Sequence, residues 1–138
     1  MKLISGEMLL FADKIKKTNM FEWTQERTFV ITNVGVYNIH KKEVKRNIFI
    51  KDIGGLSRTG TTSKSLEFTI HVPLTYDYRF SSARRDAILD LLKRLYLIEN
   101  KKNCPVFVIN AKDLKDFTTT EKDMKRKISR FPPDEYRS

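Results

Sequence analysis

The chain has 138 residues, 40% hydrophobic and 11% aromatic, enough for one real core and too few for two large domains. Lys and Arg number 27 against 17 Asp and Glu, so a net charge of +10 and a pI near 9.8 favour anionic partners: an acidic membrane leaflet, a phosphorylated ligand or nucleic acid. One cysteine, Cys104, excludes an internal disulfide framework and fits a reducing, cytoplasmic compartment, and His40 and His71 are too few to complete a zinc site with it.

The opening "MKLISGEMLLFADKIKK" lacks the apolar stretch and small-residue cleavage site of a signal peptide. No apolar run approaches the roughly 18 to 20 residues of a spanning helix. Lys2 stands where myristoylation needs glycine, and "EYRS" has no prenylation cysteine. The expectation is a protein that lies against a membrane if it meets one.

"GEMLLFADKI" is expected as the first strand. "RTFVITN" and "VYNIH" are β-rich and joined by "NVG", where Asn33 and Gly35 supply turn chemistry, which predicts a hairpin. After the basic turn "HKKEVKR", "NIFIKDI" reads as another strand. "GGLSRTG" opens on a glycine pair and reads as a short strand with a bulge. In "SLEFTIHV", Leu66, Phe68, Ile70 and Val72 alternate with Glu67, Thr69 and His71, the pattern of a strand with one buried face. "YDYRF" continues the alternation beyond "PLT", which predicts a second hairpin. The connections are too short for helical crossovers, so seven strands meander antiparallel.

From Ser82 the period changes. Ile88, Leu91, Leu92, Leu95 and Ile98 recur at helical spacing, with Ser81 or Ser82 expected as N-cap. Pro105 prevents simple continuation, and "CPVFVIN" reads as a short extended segment. "TTTEKDMKRKISRF" offers a second, shorter helix starting at Thr118-x-x-Glu121 or Thr120-x-x-Asp123, with Met124, Ile128 and Phe131 on its apolar side. Residues 1–98 are therefore expected as the domain and 99–138 as a basic extension or linker, either free of the domain or packed on it.

Enzymatic signals are weak. Asp86 and Asp90 lie one helical turn apart on a surface face, Cys104 has no histidine near it in sequence, and "GGLSRTGTTSKS" lacks phosphate-loop spacing. His71 and Tyr78 read as structural. "KRKISR" reads as a solvated tail, ahead of a phosphorylation site at Ser129 or a membrane-facing basic segment. The aromatics alternate through strands instead of forming a base-stacking platform, which argues against nucleic acid.

The order of these segments resembles the pleckstrin-homology superfold: a β-rich α+β fold, seven antiparallel strands in a bent sandwich or barrel capped by a C-terminal helix. "VITN", then "VKRNIFIKDIGGLS", then "FTIHV" is similar to the tail-homology-1 domain of class I myosins, over Met8 to Tyr96. The chain departs from the superfold in lacking a helix tryptophan, with Leu91, Leu92 or Leu95 in that role and Trp23 in the first inter-strand loop. No motor sequence is present.

The resemblance implies a non-enzymatic, cofactor-free module that binds anionic phospholipid, specifically phosphoinositide, at the membrane face. It places basic residues at the end of strand one (Lys14, Lys16, Lys17), the start of strand two (Arg27) and the turn after strand three (Lys42, Lys45). A polyphosphate needs several such converging donors. Phe21 and Trp23 either insert at headgroup level or pack over the open end of the barrel. The rival expectation is a protein-interaction module on the same fold, holding an acidic partner or an attached signalling or motor domain.

Overall fold

The computed structural model describes residues 6–60, 64–110 and 113–138. Seven strands run in chain order: β1 (Leu9–Thr18), β2 (Thr24–Thr32), β3 (Gly35–His40), β4 (Glu43–Phe49), β5 (Gly55–Thr59), β6 (Glu67–His71) and β7 (Tyr78–Ser81). Helix α1 (Arg85–Asn100), strand β8 (Val106–Ile109) and the short helix α2 (Glu121–Lys125) follow. The sheet order is β4-β3-β2-β1-β7-β6-β5-β8, with only the β5–β8 pair parallel. The mainly β architecture with a C-terminal helix is the expected one. The sheet is open, and the segment predicted as extended supplies an eighth strand.

The sheet bends because its apolar face has one core to cover. Three strand spacings of about 4.8 Å separate β2 from β6 in a flat sheet, yet the rings of Phe29 and Phe68 are 6.3 Å apart, and Phe29 and Phe80 are 5.1 Å apart. Ile88, Leu89, Leu92, Leu95 and Tyr96 of α1 close this core, with Leu91 packed at its margin. Ile98, expected on the apolar stripe, is exposed. At 3.6 residues per turn it sits about 80° away from Ile88 around the helix.

Three local expectations are corrected. Neither Ser81 nor Ser82 caps α1: Arg84 occupies the N-cap, because the chain first makes a turn in which Ser82 Oγ and O accept from the Arg84 and Arg85 amides. The strand expected through Ile53 ends at Phe49, and a 3-10 turn over Ile50–Asp52 buries Ile50. "GGLSRTG" forms β5 in unbroken register with β6 over Gly55 to Arg58, so no bulge is present in that pairing. Gly55 instead permits close approach, since a Cβ there would stand 3.2 Å from the Pro105 carbonyl and 3.3 Å from the Phe131 ring. Thr61–Ser63 of the loop beyond lie outside the described residues.

Of the two starts considered for α2, Thr120 is realised. Its Oγ1 accepts from Asp123 N at 3.1 Å while Asp123 Oδ2 accepts from Thr120 N at 3.0 Å, a reciprocal capping box.

Residues after α1 cover the outer face of β5 and β6. Alternation puts Thr69 and His71 on the face of β6 opposite its apolar residues, yet both are fully enclosed, as is Ser57 of β5. Thr69 bonds Thr118 at 2.9 Å, while Phe107 and Phe131 pack edge-on to the His71 ring. The imidazole links Ser57 Oγ (2.5 Å) to Asp77 Oδ2 (2.9 Å). Asp77 also accepts from the amides of Val72 and Thr119, so one carboxylate ties the β6–β7 turn to the C-terminal segment.

Candidate anion site at the open end of the sheet

Register decides which basic residues meet. Ile15, in the core, stands opposite Arg27, and Lys17 opposite Gln25, so Lys17 and Arg27 share the inward face of the β1–β2 hairpin. Lys14 and Lys16 alternate onto the other face. There Lys14 pairs with Glu26 at 3.5 Å, while Asp13, alternating with Ile15, reaches Arg84 at 3.5 Å. These side chains line a shallow groove of about 360 Å³ whose charges are largely balanced. Lys14 and Lys16 therefore do not join Lys17 and Arg27.

A third cation arrives from β4. Two residues before Ile48 of the core, Arg46 stands opposite the buried Asn38 on the inward face, and the register shifts only beyond that pair, leaving Lys45 unpaired in a bulge. The Arg46 guanidinium lies over the rings of Tyr76 (3.7 Å) and Tyr78 (4.1 Å), and its Nη2 donates to Thr75 Oγ1 and Tyr76 O. Lys17 Nζ stands 5.8 Å from the same Tyr78 ring, and Asn38 Nδ2 donates to Tyr78 Oη at 3.3 Å. Tyr78 is thus the floor on which Lys17, Arg46 and Asn38 meet.

The donors are incompletely used. Arg27 gives Nη1 to Glu26 O and Nη2 to Gln25 Oε1, both at 3.0 Å, while its Nε has no partner. Arg46 Nη1 and Asn38 Oδ1 are likewise shut from solvent and unpartnered. Among the described residues no carboxylate forms an ion pair with Lys17, Arg27 or Arg46. Burial, then the charges of Arg27 and Arg46, hold the Lys17 ammonium below its ordinary pKa. His40 is likewise lowered by desolvation, then by Arg27, Lys41 and Lys45. Like charges gathered without a counter-ion are stabilised by a bound anion.

The surrounding loops are built to project. Asn19 Oδ1 accepts from the amides of Phe21 and Trp23, and Glu22, at φ 65°, reaches Arg79 Nη1 at 2.5 Å, so the β1–β2 loop is tied back to β7. Phe21 and Trp23 are 69% and 70% exposed; they do not pack over the open end. Leu74, on the β6–β7 turn, is 78% exposed. Lys41 and Lys42, both at positive φ, form the two-residue β3–β4 turn, and Lys45 is held to Glu43 at 3.0 Å.

Sequence reasoning missed Arg46 and Tyr78 as site residues. Arg46 lies in the basic run, and alternation with the core residue Ile48 puts it on the inward face. Elsewhere, Asp86 and Asp90 are engaged by Arg85 and Lys93, and burial pushes the Cys104 thiol up to about 12. The Ser57–His71–Asp77 chain has the connectivity of a hydrolytic triad, but it is enclosed beneath the C-terminal segment.

A family model described as unconventional myosin tail, actin- and lipid-binding, matches residues 1–130. No curated protein matches the chain. Among solved structures, a pleckstrin homology domain is similar at 17% identity and TM-score 0.54, covering 68% of this chain and 90% of its own. The hSac2 domain of human phosphoinositide phosphatase Sac2 is similar at 8% identity and TM-score 0.58, covering 80% and 82%. The Slm1 pleckstrin homology domain, solved with inositol 4-phosphate, is similar at 8% identity and TM-score 0.52, covering 66% and 96%.

Proposed function

The chain belongs to the unconventional myosin tail family, actin- and lipid-binding, and on that premise we propose that it captures a phosphoinositide, with Lys17, Arg27 and Arg46 holding a headgroup phosphate. The observation that carries this reading is the convergence of Lys17, Arg27 and Arg46, each half-buried, on one face at the open end of the sheet, with no carboxylate paired to any of them among the described residues. Each supplies a charge-assisted donor to a phosphate oxygen, and the Tyr78 ring fixes the direction of approach.

Lys14, Lys16, Lys42 and Lys45 lie outside this pocket. Their part is long-range attraction, worth about 1 kcal/mol for each basic residue near an anionic surface. Phe21 and Trp23 enter the headgroup layer, where indole is favoured. Capture is electrostatic, makes and breaks no covalent bond, and tethers the protein peripherally at the membrane face. Among the described residues no helix is long and apolar enough to cross a membrane. A protein of similar fold holding inositol 4-phosphate supports the ligand class.

Vesicle sedimentation tests the reading. Phosphatidylcholine vesicles carrying phosphoinositide should retain the chain at low salt, and pure phosphatidylcholine should not. The double variant Lys17→Glu, Arg27→Glu should lose at least tenfold in retention, since each lost charge-assisted bond is worth about 1.5–3 kcal/mol. Equal retention of that variant would remove the pocket. Retention of neither protein, with undiminished sedimentation on actin filaments, would favour the interaction-module reading.

A further inference from the structure

We propose that Ser129 is a phosphoacceptor for an arginine-directed protein kinase, and that its phosphate weakens membrane capture by the basic patch on and after α2. The membrane half of this inference rests on the lipid-binding reading above; the modification half does not.

Three segments carry arginine three residues before a serine or threonine: Arg58-x-x-Thr61, Arg79-x-x-Ser82 and Arg126-x-x-Ser129. Thr61 lies outside the described residues. Arg79 is consumed by Glu22 and Glu67, and Ser82 is half-buried with its hydroxyl accepting from the Arg84 amide. Only the third offers both halves of the motif. The Arg126 guanidinium has no ion pair among the described residues, Ser129 is exposed outside regular structure, and its Oγ has one partner, the Phe131 amide at 3.3 Å.

The segment can be presented. α2 is five residues long and ends in a turn with Lys127 at φ 57°, closed by the Ile128 amide on Asp123 O at 2.9 Å. So short a helix end frays readily, which lets the exposed residues Arg126 to Ser129 enter a kinase cleft while Phe131 stays packed on His71. There the Ser129 hydroxyl attacks the γ-phosphorus of a nucleoside triphosphate. The new Oγ–P bond replaces the bond to the β-phosphate oxygen, the nucleoside diphosphate leaves, and the kinase's base takes the hydroxyl proton.

The consequence is local and electrostatic. Between Lys122 and Arg130 stand five basic side chains and one acid, Asp123. Lys122, Asp123 and Arg130 share the wall of a cleft with Met20 and Phe21 of the β1–β2 loop, so the patch flanks the loop that carries the exposed aromatics. A phosphate adds roughly −1.5 to −2 charges here. It also competes for Arg130, whose guanidinium holds the Asp123 carboxylate at 2.8 and 3.3 Å and so supports the capping box.

The full chain is incubated with a purified arginine-directed kinase and ATP, the phosphate is mapped by mass spectrometry, and retention on phosphoinositide vesicles is compared before and after. The expected result is stoichiometric phosphate on Ser129, none at that position in Ser129→Ala, slower incorporation in Arg126→Ala, and about ten- to thirtyfold weaker retention at low salt. Phosphate only at other positions would overturn the site. Phosphate on Ser129 with unchanged retention, while the Lys17→Glu, Arg27→Glu variant loses retention, would overturn the switch and leave the lipid reading intact. If the unmodified chain binds no vesicle, the lipid reading and the switch fall together, and the mass spectrum still decides the modification.

Discussion

Under the proposed binding mode, Lys17 serves binding at the expense of folding. Its ammonium is half-buried against two guanidinium groups, and its pKa is lowered accordingly. Replacing it with methionine keeps the stem against Tyr78 and removes the repulsion. Lys17→Met should melt at or above the parent temperature and lose about tenfold in phosphoinositide retention; a melting point several degrees lower would show that the charge is structurally needed. His40 reports on the same charges. Because the folded ring favours the neutral form, its stabilising contribution is complete above the ordinary value of 6.5 and declines as the pH falls below it. Saturation with a soluble inositol phosphate should move the His40 midpoint upward in an NMR titration, since an anion favours imidazolium. No movement would place the anion elsewhere. Lys17 and Arg27 were reached at this scale through the resemblance, which implies basic residues at the end of the first strand and the start of the second. Arg46 was passed over: alternation with Ile48 puts it on the inward face, but nothing in the run "KKEVKRN" shows that it meets Tyr76 and Tyr78 about thirty residues later.

At the scale of elements, periodicity located the strands and α1, whose buried faces are local in sequence. It failed for β6, where Thr69 and His71 alternate as solvent-facing residues should and yet are enclosed. What covers them is β8, the α2 region and Phe131, some forty to sixty residues later, and no local pattern encodes that contact. The segment after α1, read from sequence as an extension or linker, thus makes main-chain bonds to β5: four parallel residue pairs, and Leu56 N on Pro105 O at 2.9 Å. Deletion of residues 101–138 would bare that edge along with Ser57, His71 and Asp77. The shortened chain should aggregate or lose its cooperative thermal transition, whereas an unchanged transition would make residues 1–100 an independent domain. Asp77→Ala, which strips acceptors from His71, Val72 and Thr119, should cost about 3–5 kcal/mol in urea unfolding.

Across the whole molecule the net charge of +10 has two parts that salt separates. Exposed lysines such as Lys14, Lys16 and Lys42 act through a field whose range shrinks from about 10 Å at 0.1 M to about 3 Å at 1 M salt. Contacts inside the Lys17, Arg27 and Arg46 pocket are shielded from that screening. Retention on phosphoinositide vesicles should therefore fall steeply with salt to a residual level, and the Lys17→Glu, Arg27→Glu variant should lack the residue. Trp23, the sole tryptophan, gives an independent reading: its emission should shift to the blue on binding and stay unshifted if the β1–β2 loop remains in water.

The strand order also has a mechanical meaning. β1 is zipped to β2 over nine residue pairs but meets β7 at two, Lys16 with Ser81 and Lys17 with Phe80. A tether bears force, and the seam that would part first under tension between the two halves of the sheet runs beside Lys17. Lys17, Arg27 and Arg46 lie together on one side of that seam and Tyr76 and Tyr78 on the other, so a load able to open it strips the aromatic floor from the three cations, and under the proposed binding mode detachment under force becomes a property of the fold as much as of the lipid.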